Sequence, residues 1–189
     1  QILSMLVSLY TVRVVLETLG AEDYGIYNVV AGIVTLFSFL SGAMATASQR
    51  YFSFDLGKND QQQLKKTFGV TLLIYLILIL IIVILAETVG LWFVHTKLVV
   101  PPDRVVAARW IYQFSIISLA LTVFTAPYMA LIIAHEDMSI YAYISIIEVI
   151  LKLGVVFIIP FFKIDTLIIY GFLLMLAVFI NTSLYRMVC

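Results

Sequence analysis

Residues 67–86 read TFGVTLLIYLILILIIVILA, twenty positions without a charged side chain. At 1.5 Å per residue such a run makes a helix of about 30 Å, the thickness of a bilayer's hydrocarbon core. Five further stretches are predominantly apolar, at about residues 2–19, 25–48, 110–134, 138–162 and 166–185. Periodicity cannot separate helix from strand in solid apolar runs, but length can. Membrane barrel strands need only about ten residues and alternate in polarity. The sequence therefore predicts an all-α fold, a polytopic transmembrane bundle of six helices over residues 1–189.

What lies between these runs is too little to coat a water-facing surface. Charged residues make up 12% of the chain, against about 25% in soluble domains. The lipid bilayer is thus the expected surroundings. The formal net charge is zero, which leaves no basic excess to attract nucleic acid. His95 and His135 are far apart, and the one cysteine is Cys189, so neither a metal site nor an internal disulfide is expected. No GxSxG, P-loop, HExxH or CxxC pattern occurs; no cofactor and no enzymatic activity are expected.

Orientation follows basic residues in short loops. Arg50, Lys58, Lys65 and Lys66 cluster between the second and third runs, and Arg186 follows the sixth. Lys97, Arg104, Arg109 and Lys163 lie on the other side. The cluster favours a cytoplasmic position for the loop before residue 67. On the opposite side, Pro101-Pro102 predicts a stiff turn, with Asp103 capping the next helix. Tyr24, Tyr51, Trp92 and Trp110 fall near run ends and read as interface anchors.

Two charged pairs break the oily background. Glu148 and Lys152 lie four residues apart inside SIIEVILKLGVV. That spacing puts both on one helix face, with the acid on the N-terminal side, the better order for pairing. A charge at mid-bilayer costs about 2.5–3.5 kcal/mol on insertion scales, so this face is expected to point into the bundle or a wet cavity. It is either a polar site for a charged substrate or coupling ion, or a self-neutralised packing contact. Arg13 and Glu17 repeat the spacing in the first run, about 10 Å from the turn at Gly20. Arg13 either snorkels to the interface or offers its guanidinium to phosphate or carboxylate. Weaker candidates are Gln113, Pro127 as a kink, and the small-residue run SGAMATAS at 41–48, which reads as close helix packing. His135–Asp137 reads as a solvated turn.

Two stretches together carry a resemblance: LETLGAEDYGIYNVVAGIVTLFSFLSGAMATASQRYFSFDLGK at 16–58 and YQFSIISLALTVFTAPYMALIIAHEDMSIYAYISIIEVILKL at 112–153. The chain resembles the polysaccharide transporters of the multidrug/oligosaccharidyl-lipid/polysaccharide superfamily, the Wzx-type flippases. The resemblance implies a MATE-like fold of two six-helix lobes around a central cationic cavity. It also implies movement of an undecaprenyl-pyrophosphate-linked oligosaccharide across the bacterial inner membrane, for surface polysaccharide or lipopolysaccharide synthesis. On that reading the chain is an N-terminal lobe fragment, partnered by a missing second lobe. Arg13, Glu17, Glu148 and Lys152 are then the candidate substrate-binding residues. The alternatives are a cation-coupled multidrug antiporter of the same superfamily and a non-transporting scaffold subunit of polysaccharide assembly.

Overall fold

In the computed structural model the described residues are 2–36, 38–92, 101, 104–159 and 165–189. They form helices and turns, with no strand among them. Helix α1 (Ile2–Thr35) is interrupted at Gly20, whose φ of 83° and ψ of 164° belong to no helix. A side chain is strained at that φ, which is why glycine stands there. The interruption divides α1 into two arms. Helix α2 (Ser38–Gly57) follows a turn at Leu36. The stretch 25–48, expected as one span, thus lies partly in the second arm of α1 and partly in α2.

Helix α3 (Gln61–Leu85) starts six residues before the oily run, because Asp60 accepts the Gln63 backbone N–H at 2.9 Å and caps it. It continues through one widened turn, Ala86–Gly90. Helix α4 (Val105–Ala134) contains Pro127, α5 is Met138–Ile158, and α6 is Thr166–Val188. The tight turn before α5 uses Glu136 at φ 61°. Four of these elements are long and apolar enough to cross a membrane: Gln61–Gly90, α4, α5 and α6. The Asp103 cap, His95, Lys97, Pro102 and Lys163 lie outside the described residues.

Helix α4 is the axle of the bundle. It packs against each of the other five helices. Its most apolar window is 44% buried, against 17–28% for the other three spans. The main core joins Val30 and Val34 of α1, Tyr75 and Ile82 of α3, Ile111, Tyr112 and Val123 of α4, and Leu167 of α6. A second cluster sets Val15 against Val155, Val156 and Tyr170. By contrast Leu73, Leu76, Ile77, Leu80, Ile81 and Ile84 stand exposed along α3. Such a continuous apolar wall is untenable in water and natural against acyl chains. The chain has the build of an integral membrane protein.

Polar ties close each end of the bundle. At one end Arg104 holds two carboxylates: its Nε lies 3.3 Å from Asp23 Oδ1, and a terminal guanidinium nitrogen lies 3.3 Å from Asp165 Oδ1. Asp23 is buried. This clasp joins the segment after the Gly20 break to the starts of α4 and α6. At the other end, Thr67 Oγ1 donates to buried Asp55 Oδ2 at 2.6 Å and ties α2 to α3. Near the clasp end, Tyr112 fills the widened turn, and its hydroxyl donates to Ala86 O at 2.5 Å.

Candidate substrate groove

The Glu148–Lys152 pair forms as its spacing predicts. Lys152 Nζ donates to Glu148 Oε1 at 2.6 Å, and both side chains are partly exposed. Glu148 stands ten residues into α5, about 15 Å from its start and so near mid-span. Its second oxygen, Oε2, accepts from Asn181 Nδ2 of α6 at 3.3 Å. The next residue, Thr182, shares a hydroxyl–hydroxyl hydrogen bond of 2.9 Å with Thr125 of α4. Thr125 is two residues before Pro127. A proline has no N–H, so the i−4 carbonyl of Val123 loses its usual helical donor beside this layer.

Glu148, Asn181, Thr182 and Thr125 line a groove of about 370 Å³ between α2, α4, α5 and α6, and Lys152 stands outside that lining. Ser145 and Tyr141 continue its wall along α5, and Tyr185 faces them from α6. Gly42 and Ala45 of α2 form part of the opposite wall. Gly42 has open space where a side chain would project. The small-residue run, expected to serve close packing, thus leaves room in the groove at Gly42. The groove runs from mid-span toward the end of the bundle that carries the Glu136 turn and Cys189.

One atom in this layer is unsatisfied. Asn181 Oδ1 is buried and has no hydrogen-bond donor. Leaving such an acceptor unpaired costs about 1–3 kcal/mol. The amide orientation is nonetheless the right one, because the flipped form would set a carbonyl oxygen against the Glu148 carboxylate.

The four residues singled out from the sequence do not meet at one place. Arg13 Nε and Glu17 Oε1 pair at 3.2 Å, but the side chains are 78% and 65% exposed. They lie on the face of α1 away from buried Val15 and take no part in the groove lining. Gln113 donates to Glu87 in the widened turn of α3 at 3.4 Å. His135 sits in an exposed turn, its Nδ1 3.0 Å from Leu131 O.

No family model, curated protein or solved structure matches this chain. Its chemistry is therefore argued from the groove itself. Asn181, Thr182, Thr125 and Tyr141 were not among the expected site residues. Asn181 and Thr182 had a visible signal, the polar triplet NTS at 181–183 inside an apolar run. Thr125 and Tyr141 had none, since hydroxyls are common in such helices and their partners are remote in sequence.

Proposed function

We propose that the chain is one lobe of a membrane transporter that carries the polar headgroup of a lipid-linked oligosaccharide across the bilayer, a flippase of the bacterial inner membrane. The observation that supports this reading is the groove: carboxylate, amide and hydroxyl groups gathered at mid-span inside a bundle whose outer walls are apolar. Sugars and phosphates cannot cross hydrocarbon unaided, because their polar groups lose water without replacement. A polar channel supplies replacement partners while the lipid tail stays among acyl chains. The exposed Arg13–Glu17 pair fits the same scheme. Charges at that depth avoid lipid, so this face of α1 meets water or a second lobe. Rocking of the two lobes would then switch the groove between membrane sides.

The test is a deletion strain complemented with the full-length protein or with Glu148→Gln, Asn181→Leu or Arg13→Gln forms. Surface glycan and the leaflet of the lipid-linked precursor are measured. The expected outcome is loss of surface glycan with precursor trapped on the cytoplasmic side, and at least tenfold weaker rescue by the groove variants. A deletion strain with undiminished surface glycan refutes the proposal.

One observation favours a second reading, a cation-coupled antiporter of small molecules. Glu87 sits in the widened turn of α3 and its hydrogen-bond partner is the neutral amide of Gln113. Drug efflux that collapses with the ion gradient and is lost in Glu87→Gln would favour it.

A further inference from the structure

The charge balance of the groove selects its occupant. Both oxygens of Glu148 are engaged, Oε1 by the Lys152 ammonium and Oε2 by the Asn181 amide. A metal cation would have to displace one of them and would meet the lysine charge. An anion finds Lys152 already neutralised at 2.6 Å and Glu148 beside it. The one charge among the lining residues, that of Glu148, is thus offset by Lys152 from outside the lining. Asn181 is one of the lining residues, and its buried Oδ1 has no hydrogen-bond donor. A hydroxyl that reaches that oxygen supplies the missing donor and leaves the Asn181 Nδ2–Glu148 bond intact. Tyr141 and Tyr185 also line the groove. Carboxylate and amide in mixed polarity, with aromatic rings beside them, suit a ring of hydroxyl groups with one apolar face. The volume of about 370 Å³ is near the lower end of the about 300–1,000 Å³ typical of small-molecule sites. It accommodates a sugar ring or a short glycan end.

We propose that the groove is a subsite within this single lobe for an uncharged sugar ring, read by Glu148 and Asn181, and that it disfavours acidic sugars. The inference rests on the flippase reading and adds where, and with what charge selectivity, the glycan is held. Glu148 accepts hydroxyl protons that an acidic sugar's carboxylate cannot offer. Lys152, held on Glu148, is withheld from that carboxylate.

The experiment is saturation-transfer NMR on the full-length protein in lipid nanodiscs, with methyl glucoside and glucuronate as probes. Wild-type protein is expected to transfer saturation to methyl glucoside at least fivefold more than to glucuronate. Gly42→Leu, which projects into the open groove, and Asn181→Leu are each expected to abolish the methyl glucoside signal. Glu148→Gln releases Lys152 and is expected to reverse the preference toward glucuronate. This reversal is a gain of signal that misfolding cannot produce. Absence of transfer to methyl glucoside in wild type, or a signal unchanged in both Gly42→Leu and Asn181→Leu, overturns the subsite. If glycan export depends on the protein while that signal is absent, the subsite alone falls. If the signal behaves as expected while export is independent of the protein, the subsite stands and the flippase reading falls.

Discussion

Gly90→Ala probes a crowded contact in the bundle. The added methyl would overlap the Tyr112 hydroxyl oxygen and lie 3.2 Å from its Cζ. Tyr112 is fully buried, so the ring has little space to retreat. Overpacking of this kind costs about 1–3 kcal/mol. Moving the hydroxyl off Ala86 O forfeits a further 0.5–1.5 kcal/mol or so. The better helix propensity of alanine returns about 1 kcal/mol. The expected net destabilisation is about 1–3 kcal/mol, or roughly 2–12 °C in Tm for a chain of this size. Gly69→Ala on the same helix is the control, since nothing lies within 4 Å of its added methyl; it is expected to leave Tm unchanged or raise it. Tyr112→Phe in the Gly90→Ala background removes the overlapping atom and should recover at least about 1 kcal/mol beyond additivity. Thermal unfolding of the detergent-solubilised full-length protein, followed by size-exclusion chromatography, reads wild type, the three single variants including Tyr112→Phe, and the double variant. Equal Tm for Gly90→Ala and Gly69→Ala, or strict additivity in the double variant, refutes the packing argument.

Three further outcomes are expected. Arg104→Ala leaves buried Asp23 without this cation; because Arg104 is itself about a third exposed, a loss of about 1–2 kcal/mol is expected rather than the larger value of a deep ion pair. A double-mutant cycle with Asp165→Asn measures how much of it is shared, and zero coupling would refute the shared clasp. Thr125→Val removes one hydroxyl of the Thr125–Thr182 pair, yet Thr182 keeps its bond to Val178 O at 2.9 Å, so Tm should fall by less than about 3 °C. Cys189 turns its Sγ toward Tyr128 O at 3.6 Å, and burial raises its thiol pKa above the usual value. A raised pKa means less thiolate at any given pH, so maleimide labelling at pH 7 should be slower than that of a free cysteine peptide and should keep rising beyond pH 9. With Cys189→Ala as the blank, labelling is expected from the cytoplasmic side, and labelling from outside alone refutes the orientation.

The helices of this chain were legible because the bilayer sets a length that only long apolar runs meet. Residues 67–86, 110–134 and 166–185 each lie within an observed helix. The turn near Leu36 was not legible: GIVTLFSFLSG holds no proline and no polar cluster to announce it. The Glu148–Lys152 contact was legible because a four-residue spacing is enough to place two side chains together. The rest of the groove was not, since Asn181 meets Glu148 across 33 residues and Thr125 meets Thr182 across 57. Local spacing carries no record of such meetings. For the same reason Arg104 counted only as a loop charge before its two carboxylates came into view.

That clasp also sets a sequence of events during synthesis. Asp23 enters the membrane region long before Arg104 has been translated, and Asp165 arrives a further 61 residues later. Until Arg104 has been made, that end of the bundle lacks the cation that joins the two carboxylates. Only the last pair of helices supplies the final ligand of the guanidinium. The clasp is therefore complete only after most of these helices have been synthesised.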